Sequence, residues 1–304
     1  MPAEDLSIEI KVTDRCNQQC FHCMNDDAPS AGRDLDCDLF LRRLAEWGRD
    51  RARSAVNFTE VRMTGGEPLL NLPAVSAIGR ACRDLRLRSG INTNATLLDE
   101  TTISLLRAVG LTTIKASFDS LEEDVWRAMR GSGVSPAKTA EGIQRAVAAG
   151  FHLIVRFTLC VHNRSQLIPC YRAAREWGVN RFQVKPLIPS GRAAGTDSFL
   201  GVHELHQAIQ ELAGIVSGPV AVPEILCWLP EHAAGLAARP CGNMTKIYIG
   251  TDGSVFDCNY LSDPPFAHLR DQSLEEACRH RHRHTEKTTG GHCVLDGCPA
   301  WERA

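Results

Sequence analysis

Apolar residues recur along this chain with two periods, and the period changes from one segment to the next. Between residues 6 and 12, every second residue is leucine, isoleucine or valine, which predicts a strand with one buried face. Between residues 40 and 47 the apolar residues follow a helical period, and Gly48 comes next, where a glycine can end a helix. The first segments therefore predict a strand followed by a helix.

The same strand-and-helix unit recurs along the chain. Further strands are predicted at residues 56–63, around 91, and at 111–118, 153–159 and 182–184. A helix follows each strand, and three of these helices are predicted to end at Gly110, Gly150 and Gly178. Successive units of this kind require parallel strands joined by right-handed crossovers. Because the chain has fewer units than a closed barrel, we expect an α/β fold with a partial, open (β/α)6 TIM-like barrel.

The pattern changes after about residue 218, where prolines interrupt the helical period and cysteines become dense. This change predicts a boundary near Pro219, with the barrel at residues 1–218 and a smaller domain at residues 219–304. In barrels of parallel strands, active groups lie at the carboxyl ends of the strands. The residues directly after each predicted strand are therefore the candidates for a functional site.

Composition excludes several classes of protein. The chain has 304 residues, a net charge of −2 and 13 cysteines. A charge this close to zero gives no indication of a nucleic-acid partner or of an electrostatic membrane anchor. The sequence has neither an 18-residue apolar run nor a signal peptide. We therefore expect a cytoplasmic protein whose cysteines bind metal rather than form disulfides.

Three cysteines, Cys16, Cys20 and Cys23, come directly after the first predicted strand. Three thiolates on one short loop can hold three corners of a cubic iron–sulfur cluster. Because no fourth cysteine lies nearby, one iron would remain open to a substrate or cofactor, whereas a structural site is normally closed by four protein ligands. The alternatives are a zinc loop and three buried free cysteines, although zinc sites usually have pairs of cysteines two residues apart.

Polar residues follow the next three strands. Gly65, Gly66 and Glu67 come after the second strand, and paired glycines let backbone groups approach a ligand closely. A simple turn would also explain them. The remaining candidates at this rim are Asn92 and Asn94 after the third strand, and Ser117, Asp119 and Arg130 after the fourth. Asp119 could instead cap the following helix, and Arg130 could lie at the surface.

The cysteine spacing, with Phe21 before His22, together with the Gly-Gly-Glu sequence, resembles the signature of the radical S-adenosylmethionine (SAM) superfamily. The resemblance implies a [4Fe-4S] cluster whose open iron binds SAM, and a 5′-deoxyadenosyl radical that abstracts hydrogen from carbon. It also implies an electron donor such as a flavodoxin or ferredoxin. The SAM contacts that it implies are Gly65, Gly66, Glu67, Asn94, Ser117, Arg130 and Leu187. Arg130 would bind the SAM carboxylate, because a guanidinium can donate two parallel hydrogen bonds.

The C-terminal region resembles the SPASM/twitch extension of the same superfamily. Residues 247–256 predict a β-hairpin with an Asp-Gly turn, and Cys241 and Cys258 flank it. With Cys293 and Cys298, the resemblance implies one auxiliary [4Fe-4S] cluster bound in a twitch domain of hairpin and helix. The last two cysteines are spaced C-x4-C rather than C-x2-C, and zinc is the alternative metal. The histidines and arginines at 279–284 predict a solvated basic surface.

Two classes of function are compatible with these motifs: a radical enzyme, and a non-catalytic module that binds a cluster or zinc. The Gly-Gly-Glu sequence and the predicted barrel favour the enzyme. Because the first strand begins by residue 6, without a preceding peptide-recognition domain, we expect a small-molecule substrate rather than a peptide. In length and layout the chain resembles small members that tailor aminoglycoside antibiotics, an epimerase and a dehydrogenase among them.

The outcome of hydrogen abstraction remains open between two reactions. A thiol could return hydrogen to the opposite face and epimerise the carbon, and Cys227 is the candidate for that catalytic thiol. Alternatively, the second cluster could accept an electron and give a ketone, and Cys227 would then be a buried spectator. A cationic aminosugar would need carboxylates, for which the candidates are Asp26, Asp27, Asp119 and Glu224.

Overall fold

The computed structural model describes residues 3–25, 32–188, 190–216, 245–256 and 265–279. The barrel part begins with β1 (Glu4–Thr13), α1 (Cys37–Asp50), β2 (Val56–Gly65), α2 (Leu72–Asp84), β3 (Arg88–Thr93), α3 (Glu100–Ala108) and β4 (Thr113–Ser117). It continues with α4 (Glu123–Arg130), α5 (Pro136–Ala148), β5 (His152–Leu159), α6 (Leu167–Glu176), β6 (Arg181–Pro186) and α7 (Val202–Ile215). Three short strands follow: β7 (Lys246–Ile249), β8 (Ser254–Phe256) and β9 (Ala267–His268).

All these strands form one sheet in the order β6-β5-β4-β3-β2-β1-β7-β8-β9. Strands β1 to β6 pair in parallel with their sequence neighbours, and helices connect them. Within the described residues β6 has no partner on its outer side. The predicted α/β fold with a partial, open barrel is confirmed.

Local sequence explains where the helices begin and end. The side chains of Asp36, Asn71, Asp99 and Ser135 each accept a hydrogen bond from a backbone N–H in the first turn of the helix that follows. The predicted ends at Gly110, Gly150 and Gly178 are confirmed, because all three glycines have φ between 79° and 85°.

Two predictions about the helices are wrong. Gly48 does not end α1, which continues to Asp50, and a Cβ at Gly48 would lie 2.6 Å from a methyl carbon of Leu85. Gly48 therefore allows α1 to pack closely against the end of α2. In addition, two helices follow β4 instead of one, since the short helix α4 precedes α5.

The apolar core lies between the sheet and its helices. The alternating residues of β1 are fully buried there, together with Phe40 of α1 and Phe58 of β2. The other face of the strands carries the polar residues of β1 to β6. No described helix is long and apolar enough to cross a membrane.

The hairpin predicted near residue 250 is formed by β7 and β8, which are antiparallel, and Gly253 in its turn has a φ of 90°. Strand β7 also pairs in parallel with β1, so the hairpin extends the barrel sheet. Residues 274–279 are helical. The predicted boundary near Pro219 lies outside the described residues, and the division into two domains remains a prediction.

Candidate functional site

The three cysteines lie on a loop directly after β1, here called the cysteine loop (residues 14–25). Cys16, Cys20 and Cys23 are half-buried free thiols. Burial raises the pKa of Cys16 to about 11, with further increases from Glu67 and from the other two cysteines. Burial also raises the pKa of Cys20, against the opposing effect of Arg130. The three sulfurs therefore influence one another electrostatically, and they would lose protons only on binding a metal or another cation.

The Gly-Gly-Glu segment holds one side of the cysteine loop through backbone contacts. The N–H of Gly66 donates to the carbonyl of Thr13 at 2.8 Å, and the N–H of Glu67 donates to that of Arg15 at 2.7 Å. A Cβ at Gly66 would lie 2.1 Å from the carbonyl oxygen of Arg15, so that only glycine fits. Gly65 has a φ of 151° and an equally close approach to Thr13. These glycines thus bring two loops together, and the carbonyl of Gly65 accepts a hydrogen bond from Asn25.

The side chain of Glu67 links the carboxyl ends of β2 and β3. It is fully buried, and its two oxygens accept hydrogen bonds from the N–H of Leu69 (3.1 Å), the hydroxyl of Thr93 (2.7 Å) and the N–H of Asn94 (2.8 Å). Burial raises the pKa of Glu67 to about 7, although these donors oppose the increase.

Asn94 connects this network to the cysteine loop. Its side-chain amide donates to Asn17 at 2.7 Å, and its side-chain oxygen accepts from the N–H and the hydroxyl of Thr96. Asn17 in turn donates to the hydroxyl of Thr96 at 2.9 Å. The predicted site residue Asn94 is therefore a buried link between β3 and the loop that carries the cysteines.

On the other side, Asp119 and Arg130 hold the cysteine loop through an ion pair. Asp119 is fully buried, accepts a hydrogen bond from the N–H of Thr158 at 2.7 Å, and pairs with Arg130. A second nitrogen of Arg130 lies 3.5 Å from the sulfur of Cys20. Burial would lower the pKa of Arg130, but Asp119 and Cys20 raise it above its ordinary value.

This arrangement changes the expectations for both residues. Asp119 does not cap the next helix, because α4 begins at Glu123 without a side-chain cap. Its burial and its pairing with Arg130 also leave it poorly placed to bind a cationic substrate. The alternative of a surface position for Arg130 is wrong, since only 7% of its side chain is exposed.

Residues 190–193 form a third contact with the cysteine loop. The N–H of Arg192 donates to the carbonyl of Cys23 at 2.9 Å, and its side chain donates to that of Cys20 at 3.2 Å. A Cβ at Gly191 would lie 2.3 Å from the carbonyl oxygen of Cys23. The loop is therefore held by segments that follow β2, β4 and β6.

Two further predicted residues lie at the same rim. Ser117 is the last residue of β4 and is half-buried, and its hydroxyl forms no hydrogen bond with the described residues. Leu187 follows β6 and packs in a small apolar cluster with Met129, Cys160 and Ala193. The structure thus brings the cysteine loop, Gly65–Glu67, Asn94, Ser117, Arg130 and Leu187 to one end of the barrel.

Sequence reasoning missed Asn17, Asn163 and Arg192. Asn163 is fully buried, and its amide group connects the carbonyls of Asp119 and Thr158 with the N–H of Cys160. The position of Asn17 between two of the cysteines was an available signal. Asn163 and Arg192 lie far along the chain from the residues they contact, and no local pattern marks them.

Six residues predicted to act in catalysis or to bind metal or substrate lie outside the described residues, as do two further carboxylates. They are Cys227, Cys241, Cys258, Cys293, Cys298 and Glu224, with Asp26 and Asp27. Cys278, on the C-terminal side, is described and is buried.

The residues of the cysteine loop fit an iron–sulfur cluster. In the part of the chain that the structure describes, no three His, Cys, Asp or Glu side chains converge on a single metal ion. A cubic cluster does not need such convergence, because each thiolate binds a different iron. In addition, the Nε2 of Gln18 and the Nδ1 of His22 are buried without a hydrogen-bond partner among the described residues. Unsatisfied polar groups beside three thiols indicate that a further group belongs here.

The fold and the rim together define a protein with an open parallel barrel and a three-thiol site at the carboxyl ends of its strands. A sequence model described as "Radical SAM superfamily" matches residues 10–169. The chain belongs to the radical SAM superfamily and is a radical SAM enzyme. Its family implies one [4Fe-4S] cluster and SAM.

Two curated proteins illustrate how the chain resembles other members. It is 34% identical to the "GTP 3′,8-cyclase" of Xanthomonas axonopodis pv. citri over 293 residues, which cover 86% of this chain and 81% of the cyclase. It is 28% identical to the "AdoMet-dependent heme synthase" of Methanosarcina barkeri over 88% of this chain and 80% of the synthase.

Solved structures share the fold at low sequence identity. SuiB of Streptococcus suis, with bound S-adenosylmethionine, matches with a TM-score of 0.71 and 15% identity. The match covers 91% of this chain and 66% of SuiB, so the chain spans just under two thirds of that protein's length. The protein anSMEcpe, with bound AdoMet, matches with a TM-score of 0.71 at 16% identity, over 91% of this chain and 82% of that one.

Proposed function

We propose that Cys16, Cys20 and Cys23 bind the [4Fe-4S] cluster and that the protein removes a hydrogen atom from a carbon of a small-molecule substrate. When bound, the cluster and SAM supply the radical that abstracts the hydrogen. The observation that carries the proposal is the position of three half-buried free thiols on a loop held from three sides at the carboxyl ends of the strands. Such a loop keeps its thiols in place before the cluster binds.

The SAM contacts proposed at this rim are Gly65, Gly66, Glu67, Asn94, Ser117, Arg130 and Leu187. Ser117 is the best supported of them, because its hydroxyl is half-buried at the end of β4 and has no hydrogen-bond partner among the described residues. Glu67, Asn94 and Arg130 act through the loops that they fix, since their polar atoms are already engaged. Arg130 also places a positive charge beside Cys20.

The auxiliary cluster remains part of the proposal, with Cys241, Cys258, Cys293 and Cys298 as its ligands. The support for it is the β7–β8 hairpin, which those first two cysteines flank in the sequence. The electron donor would be a flavodoxin or ferredoxin.

The substrate and outcome are proposed only as far as a reaction class. The names of the relatives, a cyclase of GTP and a heme synthase, do not support an aminoglycoside specificity. Epimerisation, with Cys227 as hydrogen donor, and dehydrogenation remain possible outcomes, as does peptide modification. A second candidate function is cyclisation of a purine nucleotide, which is favoured by the 34% identity to a GTP 3′,8-cyclase over 81% of its length.

The first experiment is anaerobic reconstitution with iron and sulfide, followed by SAM and dithionite. We expect about four irons per cluster and release of 5′-deoxyadenosine, and we expect both to be lost in Cys20→Ala. Cys82→Ala is the matched control, because Cys82 is buried in the apolar core away from the rim. Binding of zinc alone, with SAM left intact, would show that the proposal is wrong.

A second experiment separates the outcomes. The reconstituted enzyme is incubated in heavy water with GTP or with an aminoglycoside. Deuterium uptake at an inverted carbon that is lost in Cys227→Ala indicates epimerisation, a stoichiometric ketone indicates dehydrogenation, and a cyclised product from GTP indicates the second candidate.

A further inference from the structure

The strands of the barrel have one face that does not contact the helices, here called the concave face. The side-chain amide of Asn92 in β3 donates to the carboxylate of Glu9 in β1 at 3.1 Å, although β2 lies between these strands. Such a contact requires the sheet to curve so that both residues lie on its inner side. Residues paired with them in parallel register, or two positions away along a strand, share that face.

The concave face carries an excess of positive charge. From the level of Glu9 to the carboxyl ends of the strands, the pairing register and the alternation along each strand place six basic residues on this face: Lys11, Arg62, Lys115, Arg156, Arg181 and Lys185. Glu9 is the acidic residue at these strand positions, and it is occupied by Asn92. Lys11 is neutralised by Asp14, and one nitrogen of Arg62 by Glu60. The remaining charge is positive.

Unsatisfied polar atoms are concentrated on the same face. Among the described residues, the buried side-chain atoms without a hydrogen-bond partner include Nη1 of Arg62, Oδ1 of Asn92, Nε of Arg156 and Oε1 of Gln183. Only 12% of the Arg62 side chain is exposed. A buried polar group without a partner costs about 1–3 kcal/mol, so four on one surface require an explanation.

Arg156 lies at the centre of this surface. It pairs in register with Ser117 of β4 on one side and with Gln183 of β6 on the other. Its side chain forms no hydrogen bond or ion pair with any described residue. Because Ser117 is the last residue of β4, Arg156 lies inside the barrel next to the rim that carries the cysteine loop.

We propose that the substrate is an anionic small molecule whose phosphate or carboxylate group is bound on the concave face by Arg156 and Arg62. This inference rests on the proposed function and specifies its substrate class. A guanidinium binds such oxyanions with two parallel hydrogen bonds, and the low-dielectric interior strengthens the attraction. A cationic aminosugar would find no available carboxylate on the described part of this face, because Glu9 and Glu60 are already engaged.

The test is calorimetric titration of the anaerobically reconstituted protein with inorganic pyrophosphate, with citrate and with neomycin. We expect one of the two anions to bind, and which of them does so distinguishes phosphate from carboxylate recognition. Binding should weaken with salt and fall at least tenfold in Arg156→Gln, with partial recovery in Arg156→Lys. Arg49→Gln, on the exposed surface of α1, should bind like the wild type.

Tighter binding of neomycin than of either anion, or binding of neither anion, would overturn the inference without requiring any variant. Equal affinity in wild type and Arg156→Gln would also overturn it. SAM cleavage by the wild type is measured on the same preparation. Failure of that cleavage counts against the proposed function, whereas intact cleavage without anion binding counts against the substrate class alone.

Discussion

Glu67 and Asp119 are fully buried carboxylates on opposite sides of the cysteine loop, and they are stabilised in different ways. Glu67 accepts its hydrogen bonds from two backbone N–H groups and one hydroxyl, all of them neutral. Asp119 accepts one backbone hydrogen bond and pairs with the guanidinium of Arg130. Burial therefore has different consequences on the two sides of the loop.

The side of Glu67 depends on close backbone packing, whereas the side of Asp119 depends on charge. A carboxylate with neutral donors can take up a proton without leaving another charge unpaired, which agrees with the pKa of Glu67 near 7. Loss of either partner from the ion pair leaves an uncompensated charge in the interior. The contrast predicts which substitutions at the rim are most harmful.

The largest effect is expected for Arg130→Met, which leaves Asp119 buried without its partner. The free energy of unfolding should fall by about 3–5 kcal/mol, measured by urea denaturation of the reconstituted protein. Arg127→Met, on the exposed face of the same helix, removes surface ion pairs and should cost at most about 1 kcal/mol. Similar losses in the two variants would contradict the role given to the buried pair.

Next in size is Gly66→Ala, which tests the backbone packing beside Glu67. The new methyl would lie 2.1 Å from the carbonyl oxygen of Arg15, which cannot move without shifting the cysteine loop. We expect a loss of about 1–3 kcal/mol in unfolding free energy and reduced iron loading. Gly214→Ala in α7, where nothing lies within 4 Å of the new atom, should be neutral or stabilising. Normal iron loading in Gly66→Ala would be evidence against this clamp.

A pH-dependent effect is expected from Glu67. Because its pKa in the folded state lies above the ordinary value of 4.5, its contribution to stability is complete below that value and is lost as the pH rises through about 7. The unfolding free energy of the wild type, relative to Glu67→Gln, should therefore fall by about 1–3 kcal/mol between pH 4.5 and pH 8. A constant difference between the two proteins over this range would refute the raised pKa.

The smallest effect is expected at Asp99, an exposed carboxylate that caps α3. Its hydrogen bond from the N–H of Thr102 lowers its pKa, so its contribution is present above the ordinary value of 3.8 and is lost as the pH falls through the lower folded-state value. Asp99→Ala should cost about 1 kcal/mol in thermal or urea unfolding at pH 7. Asp99→Asn should keep most of the cap without the pH dependence, and a larger loss than in Arg130→Met would reverse the comparison.

Much of the fold could be predicted from local sequence, because both its periods and its caps are local. The alternation in β1 and the glycines at 110, 150 and 178 each mark an element within a few residues. Gly48 was misinterpreted because a glycine that permits close helix packing looks the same in sequence as one that ends a helix. Helix α4 was missed because two turns give little periodic signal.

The rim was predictable only where its residues lie close together in sequence. The cysteine spacing and Gly65–Glu67 are local motifs, and the structure brings both to the same end of the barrel. The positive concave face could not be predicted in this way. It arises from residues two positions apart in separate strands, and it depends on the register of five pairings.

Pairing with β7 has a consequence for β1, the strand that leads into the cysteine loop. Between β2 and β7 this strand has no open edge, and the hydroxyl of Thr251 in the hairpin turn donates to Asp14 at the start of the loop. Amide hydrogens of β1 should therefore exchange with solvent among the slowest in the protein. Truncation after residue 216 would uncover that edge, inviting self-association through exactly the strand that supports the metal-binding loop.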